Sequence, residues 1–385
     1  MPVRRQRRNL TAPPTPTPSS EMQCHPPSSA EPGDLHLVSD RLRQRVRPYR
    51  RMIESALQPL FASDTPLDRA VAHVLFADAK RVRASLALIG SEAAGGRAEA
   101  ALPIAVAFEL LHTASLIHDD IMDGAELRRG RLCVHRVFGT GIAITAGDML
   151  IFEAYRRLLL SFGAHPAPAA RRALEIFTAC AARACRGQAL DLGFGVGSAS
   201  MRQYLKMVRA KTGSMIEAPL ECAALLAGAP ASWCAGFRAY GRSLGIAFQI
   251  ADDATDCLGS EPRAGKTLGN DLRNGTGSAL LTYVRHACNP RQRERLADAI
   301  RGVRASHAQN GAAPLVALMQ QHGALEWTQR LCARHADRAS RALDAIGVEP
   351  ARSELAAIAA TVGRWEVSRP SPTQGATHEA RRAVH

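Results

Sequence analysis

The sequence predicts an all-α protein, on three grounds. First, 46% of the 385 residues are hydrophobic but only 5% are aromatic, so the core must come from aliphatic side chains, Ala and Leu above all, which favour helix. Second, apolar residues recur at three- and four-residue intervals, whereas the sustained alternation of half-buried strands is rare. Third, Gly and Pro cluster between these segments more than within them. The length allows one large domain with a sizeable core. No uninterrupted apolar run reaches the ~18 residues of a membrane span.

Residues 1–38 are rich in Arg, then in Pro, Ser and Thr, with no apolar periodicity, and this predicts a disordered basic extension. Its first twenty residues lack an acid, as in transit peptides, but the prolines argue against the amphipathic helix such peptides form. From Asp40 the pattern predicts helices over 40–62, 66–95, 99–124, 140–163, 168–191 and 199–227. Further helices are expected over 232–259, 276–287, 291–310, 312–345 with a break near Gly323, and 350–365. Gly95-Gly96, Gly139-Thr140-Gly141, His165-Pro166-Ala167-Pro168, the run 193–200, Pro230 and the Gly-rich stretch 259–277 separate them. These residues either lack a helix donor or accept a left-handed backbone. Residues 40–365 thus form one domain, and the polar, Pro-containing 366–385 a flexible tail.

A formal charge of +14 raises the prospect of nucleic acid or an anionic membrane. The distribution argues otherwise: residues 1–50 hold nine Arg against four acids, and the remaining excess is scattered, without the aromatic interleaving of a nucleic-acid surface. Small polyanions fit better as ligands, with neither nucleic acid nor a stable membrane span expected. The nine cysteines show neither CxxC pairs nor zinc spacing with histidines, and read as reduced, core-filling thiols of a cytoplasmic protein. The chain has 45 Arg but only four Lys: Lys80, Lys206, Lys211 and Lys266. Three of these, Lys80, Lys211 and Lys266, fall in motif-like segments, where a compact ammonium on a flexible stem differs in use from a planar fork.

The strings His118-Asp119-Asp120-Ile121-Met122-Asp123 and Gln249-Ile250-Ala251-Asp252-Asp253-Ala254-Thr255-Asp256 repeat one DDxxD spacing. On a helix, residues i and i+4 share a face, so Asp119 pairs with Asp123 and Asp252 with Asp256. Such like charges are tolerated where hard cations, Mg²⁺ above all, sit between carboxylates and a phosphorylated ligand. A single DDxxD reads as a solvated helix end. Two copies, each after an apolar run (Phe108 to Ile117, Leu244 to Ala251), read as the mouth of a buried core. Basic residues stand close by: Glu126-Leu127-Arg128-Arg129-Gly130-Arg131 follows the first motif, Lys80-Arg81-Val82-Arg83 precedes it, and Gly265-Lys266-Thr267-Leu268-Gly269 follows the second. Arginine forks suit diphosphate oxygens, although these clusters by themselves read equally as surface salt bridges.

Over residues 70–290 the chain resembles the trans-isoprenyl diphosphate synthases of the polyprenyl synthetase family. The resemblance rests on Leu111 to Asp123, on Leu127-Arg128-Arg129-Gly130 with Val134 to Gly139, and on Phe248 to Asp253 followed by Gly265-Lys266 and Gly269 to Leu272. It implies an isoprenoid synthase-type helical bundle around a deep central cavity, a homodimer, and condensation of isopentenyl diphosphate with allylic diphosphates. By the same resemblance, Asp119, Asp120, Asp123, Asp252, Asp253 and Asp256 bind Mg²⁺, three ions per site, for which Mn²⁺ substitutes. Arg128, Lys211 and Lys266 neutralise the allylic diphosphate, with Thr212 and Gln249 along its path. Lys80, Arg83, His112 and Arg129 hold isopentenyl diphosphate. Departures from the family pattern are Ala79 and Ala84 around the first basic cluster, and Thr276 where a Lys is usual; the latter predicts weaker diphosphate affinity.

Product length follows from the helix before Asp119. Ala114 and Ser115, five and four residues upstream, are small where shorter-chain family members carry a bulky aromatic, which implies twenty carbons or more. Leu111 and Phe108 lie deeper; Phe108, about 16 Å along the axis from Asp119, is the expected floor. Geranylgeranyl diphosphate is the expected product, with farnesyl or a longer polyprenyl diphosphate as the alternative. A non-catalytic partner subunit of a heteromeric synthase is a reading of another class, against which both acidic motifs stand intact. A terpene cyclase would carry a different second metal motif.

Overall fold

A computed structural model describes residues 40–61, 63–77, 79–194, 199–258, 278–305 and 313–364. Its centre is α4 (Ala98–Met122), apolar on all sides and packed between α3 (Val82–Ala93), α6 (Thr140–Ser161) and α9 (Ser214–Leu226). Its mean hydropathy would suit a membrane span, but 67% of the relevant window is buried by the fold, so it is a core helix. Ala101, Ala105, Ala107 and Ala114 are buried along it and let neighbouring helices approach closely. A second long helix, α10 (Ala231–Leu258), packs on α9 and on the helix Ala324–Arg341 near the C-terminus. Outer helices close the bundle, among them α1 (Asp40–Leu57), α2 (Pro66–Leu75) and α7 (Ala167–Gly193).

The expected helical periodicity is realised, with three differences. The predicted helix 66–95 is two helices, α2 and α3, because Arg81 takes a left-handed backbone (φ 54°) at the start of α3. Its buried guanidinium donates back to the Leu75 carbonyl at the end of α2 and to Glu109 of α4, so the break is held by contacts that local sequence does not contain. Second, the loop after the first acidic motif holds a small antiparallel hairpin, Leu127–Arg128 (β1) with Arg131–Leu132 (β2), followed by α5 (Val134–Phe138). Gly130 at φ 71° and Arg129 at φ 54° make its turn.

The third difference lies in the predicted helix 199–227. It begins as α8 (Met201–Val208), capped by Ser200 and Gln203 in a reciprocal box, then widens into a π-helical turn over Arg209–Gly213 before α9 resumes. Two glycines permit this. A Cβ on Gly187 of α7 would lie 2.3 Å from the Lys211 amide nitrogen, and one on Gly245 of α10 would lie 2.7 Å from the Gly213 Cα. The turn is therefore clamped, backbone to backbone, between α7 and α10. The break expected near Gly323 is present, with Gly323 at φ 61°.

Because backbone cannot yield as a side-chain end can, Gly187→Ala is expected to lower the melting temperature by several degrees, corresponding to about 1–3 kcal/mol of overpacking. An unchanged melting curve would mean that the turn is not clamped there.

Candidate active site

The acidic motifs occupy the C-terminal ends of α4 and α10, and both face one cavity of about 210 Å³. Asp119 and Asp123 contribute from α4; Asp252, Asp253 and Asp256 contribute from α10. Lys211 and Thr212 enter from the π turn, Asp191 from α7, Arg128 from the hairpin, and Arg83 with His112 from the far side. All the acidic donors are carboxylate oxygens, which suits a hard cation. Among the described residues no three carboxylates, imidazoles or thiols converge closely enough to hold a metal by themselves. Oxygens of a ligand lying between the motifs would have to complete such a coordination shell, a habit of Mg²⁺, which takes one or two carboxylates plus substrate phosphates.

Lys211 anchors one wall. Its Nζ donates to Asp191 Oδ2 at 2.8 Å and lies 4.0 Å from Asp119 Oδ2. Burial works against its charge, but Asp119 and Asp191 outweigh that and hold its pKa above the ordinary lysine value. Burial likewise pushes the Asp119 carboxyl up, with Lys211 and Arg128 opposing. Asp119 is thus a carboxylate with too little solvent and too few fixed cations, the state expected of a group that meets a further cation in use.

Two motif aspartates are committed elsewhere. Asp120 is buried and takes both Nε (2.9 Å) and Nη2 (2.5 Å) of Arg128 on one carboxylate oxygen, and it does not line the cavity. This pair holds the hairpin against the end of α4. Asp253 accepts from the Tyr204 hydroxyl at 2.6 Å, from Gln249 Nε2 at 2.7 Å and from the Ala279 amide at 3.1 Å. Gln249 in turn accepts from Thr212 at 2.6 Å. The chain Thr212–Gln249–Asp253–Tyr204 ties the π turn, α10 and α8 into one polar unit.

On the opposite wall Arg83 Nη1 donates to His112 Nε2 at 2.9 Å. Burial, then the charge of Arg83, drives the His112 pKa well below the ordinary imidazole value, so the ring is neutral and accepts. Arg129, beside this pair but not lining the cavity, has its pKa lowered to about 10, chiefly by burial. The Lys80 Nζ is buried and also stands outside the cavity wall. Arg81, in the middle of the basic string, is a buried partner of Glu109.

Twelve of the residues expected from sequence therefore share one cavity: Arg83, His112, Ser115, Asp119, Asp123, Arg128, Lys211, Thr212, Gln249, Asp252, Asp253 and Asp256. Ala114, Leu111 and Phe108 are buried and do not line it, whereas Ser115, Leu116 and Met215 do. Phe108 packs on Phe177 of α7 (ring centroids 5.0 Å), which meets Tyr155 of α6 edge-on at 5.1 Å. Lys266 and Thr276 lie outside the described residues. Sequence reading missed Asp191, Tyr204 and Glu109. The signal for Asp191 was faint, an acid three residues after Gln188 near the end of an Arg- and Ala-rich helix.

The polyprenyl synthetase family model matches residues 64–317, and the chain belongs to that family. A short-chain isoprenyl diphosphate synthase of Methanothermobacter thermautotrophicus is 33% identical over 317 residues, covering 82% of this chain and 95% of that one. The octaprenyl diphosphate synthase of Escherichia coli is 29% identical over 289 residues, covering 74% and 86%. Among solved structures, geranylgeranyl pyrophosphate synthetase from Pyrococcus horikoshii superposes with a TM-score of 0.78 at 28% identity, over 85% of this chain and 99% of that one. Geranylgeranyl pyrophosphate synthase from Corynebacterium glutamicum, solved with isoprenyl diphosphate and magnesium, gives 0.73 at 27% identity over 84% and 99%. The fold is the all-α isoprenoid synthase fold, and the activity is that of a prenyltransferase joining isoprenyl diphosphates head to tail.

The neutral state of His112 gives a pH test. As pH falls below about 6.5 the unfolded chain gains a proton at this ring that the folded chain, with its lowered pKa, refuses, so stability is lost with acidification at up to about 1.4 kcal/mol per pH unit. Melting temperatures between pH 7 and 5 should fall less steeply in His112→Gln than in the unaltered protein. Parallel slopes would contradict a buried, uncharged ring.

Proposed function

We propose that this synthase uses magnesium, binds the allylic diphosphate between its two acidic motifs, and makes geranylgeranyl diphosphate. The observation that carries the reading is the shared cavity in which carboxylates of α4 and α10 flank Lys211 and Arg128. Asp119, Asp123, Asp252 and Asp256 would take the metal ions, with Asp120 and Asp253 holding the motifs in position through Arg128 and Tyr204. Magnesium, when bound with substrate, stabilises charge on the departing diphosphate. Lys211, Arg128 and Lys266 would add fixed positive charge to the same group. Thr212 and Gln249 would line the allylic carbon, while Arg83, His112, Lys80 and Arg129 would orient isopentenyl diphosphate with its alkene toward that carbon.

The carbon–oxygen bond of the allylic diphosphate breaks, the isopentenyl alkene supplies the electron pair of the new carbon–carbon bond, and a proton leaves the adjoining carbon. The freed diphosphate accepts that proton, so no side-chain base is required. Leu116, Met207 and Met215 keep water from the cation. The two methionines also give the wall the pliability a lengthening tail needs. Ser115 is the small residue below Asp119 on the cavity wall, and a tail growing past the buried Ala114 and Leu111 would end at Phe108, backed by Phe177 and Tyr155. A homodimer is part of the same reading: α6 presents Ile144, Met149, Phe152, Leu159 and Leu160 on its exposed side, with Phe152 71% exposed, a stripe that a second copy would cover.

Purified protein incubated with magnesium, labelled isopentenyl diphosphate and, separately, dimethylallyl, geranyl or farnesyl diphosphate should yield a twenty-carbon alcohol after phosphatase treatment. Asp119→Ala and Asp252→Ala should each lower kcat by at least ~100-fold; near-normal turnover in either would remove the metal assignment. Phe108→Ala should lengthen the product, and an unchanged distribution would put the floor elsewhere.

A further inference from the structure

Among the described residues only two non-glycine positions have a left-handed backbone, and both are arginines: Arg81 and Arg129, each at φ 54°. Such a conformation is strained for a residue bearing a Cβ and persists only where surrounding contacts over-determine it. One lies in the loop before α3 and the other in the hairpin after α4, so local sequence gives them no common cause. They do share a neighbourhood. Both stand close enough to His112 to act on it together with Arg83, and Arg81 is buried while Arg83 and Arg129 are half-buried.

The carboxylate that acts first on both Arg83 and Arg129 is Glu109, 2% exposed in the middle of α4, with Asp252 a further one acting on Arg83. Glu109 Oε1 accepts from Arg81 Nη1 at 2.8 Å, an ion pair with both side chains almost fully buried. Among the described residues its buried Oε2 has no hydrogen-bond donor, and the buried Arg129 Nη1 and Arg83 Nε have no acceptor. Among these four groups three guanidinium charges meet one carboxylate, a surplus of two before Asp252, which also acts on Arg83, is counted. Groups of this cost persist where a ligand completes them.

We infer that Glu109 is the positioning residue of the isopentenyl diphosphate subsite. It anchors Arg81 and, through its charge, holds Arg83 and Arg129 in the protonated state that receives the diphosphate. This inference rests on the reading that Arg83, His112 and Arg129 form that subsite. Glu109 touches no reacting atom. Its position three residues before His112 puts both on one face of α4, and His112 accepts from Arg83. The surplus left by the four groups suits a diphosphate; removing Glu109 raises it to three and leaves Arg81 with no counter-charge in the cluster. Desolvation then favours displacement or deprotonation of an arginine rather than tighter ligand binding.

The charged groups acting on Arg129 are Glu109 from α4, Arg81 and Arg83 from the loop and α3, and Arg128 beside it in the hairpin, with His112 neutral. Of these Glu109 alone supports its charge, and its pKa already stands at about 10. Removal of the carboxylate should bring the alkaline limb of the pH profile down toward neutrality.

The test is steady-state kinetics of Glu109→Gln with each substrate varied in turn, beside Arg83→Ala as a reference. Glu109→Gln should raise KM for isopentenyl diphosphate at least ~tenfold, leave KM for the allylic diphosphate within about twofold, and shift the alkaline limb of kcat/KM for isopentenyl diphosphate to lower pH. Glu109→Asp keeps the charge, so it should keep the limb and show an intermediate KM. If Glu109→Gln does not fold, Glu109→Asp carries the test, and an unchanged KM in it overturns the inference. A lowered melting temperature in Glu109→Gln with both KM values and the limb unmoved would reduce Glu109 to a structural ion pair. Should Arg83→Ala also leave KM for isopentenyl diphosphate unchanged, the subsite itself has been misassigned; a raised KM there with none in the Glu109 variants refutes only the role of Glu109.

Discussion

Two helices end in carboxylates at their electronegative termini, and the remainder of the site answers that conflict. A helix C-terminus carries partial negative charge, so acids in the last turns of α4 and α10 are unfavourable by roughly 0.3–1 kcal/mol each before their mutual repulsion is counted. Burial adds to the cost, as the raised pKa of Asp119 records. The fold offsets part of it with cations brought from other elements: Arg128 from the hairpin onto Asp120, and Lys211 from the π turn between Asp119 and Asp191. What it leaves uncompensated is negative charge facing the cavity, at Asp119 above all. A local rule broken twice, in the same way and around the same cavity, marks function better than either break alone.

Lys211 reaches its place only because two glycines let backbone touch backbone on both sides of the π turn. The Thr212–Gln249–Asp253–Tyr204 chain then fixes the register between that turn and the second motif. On α4 the residues Glu109, His112, Leu116, Asp119 and Asp123 follow a three-four spacing along one face, about 21 Å from end to end at 1.5 Å per residue. One rigid core helix therefore carries Glu109, His112, a stretch of cavity wall and the first acidic motif, while Arg83 comes from α3 and Arg128 from the hairpin. The spacing of His112 from Asp119 and Asp123 is set by α4, as suits a site whose groups must be held within a fraction of an ångström.

Legibility in the sequence followed the range of the contacts. Helical periodicity and both DDxxD motifs were readable because i, i+3 and i, i+4 relations are local, and the family resemblance assigned Arg83, His112, Lys211, Thr212 and Gln249, all of which line the same cavity. Three features escaped. The break between α2 and α3 depends on Arg81 meeting Glu109, 28 residues away. The π turn depends on glycines in two other helices. Tyr204 reads as one more apolar position of an amphipathic helix until its hydroxyl is seen on Asp253, 49 residues on. Each is a long-range polar or steric contact, to which hydrophobic period is blind.

The scarcity of lysine acquires a physical reading from the same geometry. In a chain with 45 Arg and four Lys, Lys211 occupies a gap between two carboxylates on different helices, 2.8 Å from one and 4.0 Å from the other, against a turn whose backbone is already in contact with α7. A guanidinium is larger and planar, and would press its fork into one carboxylate rather than stand between two; a compact ammonium with three rotatable donors can serve both. Lys206, by contrast, is exposed on α8, lines no part of this cavity, and needs no such account. Where composition drives nearly every cation to arginine, the lysine that remains at Lys211 marks a place where the shape of the charge matters as much as its sign.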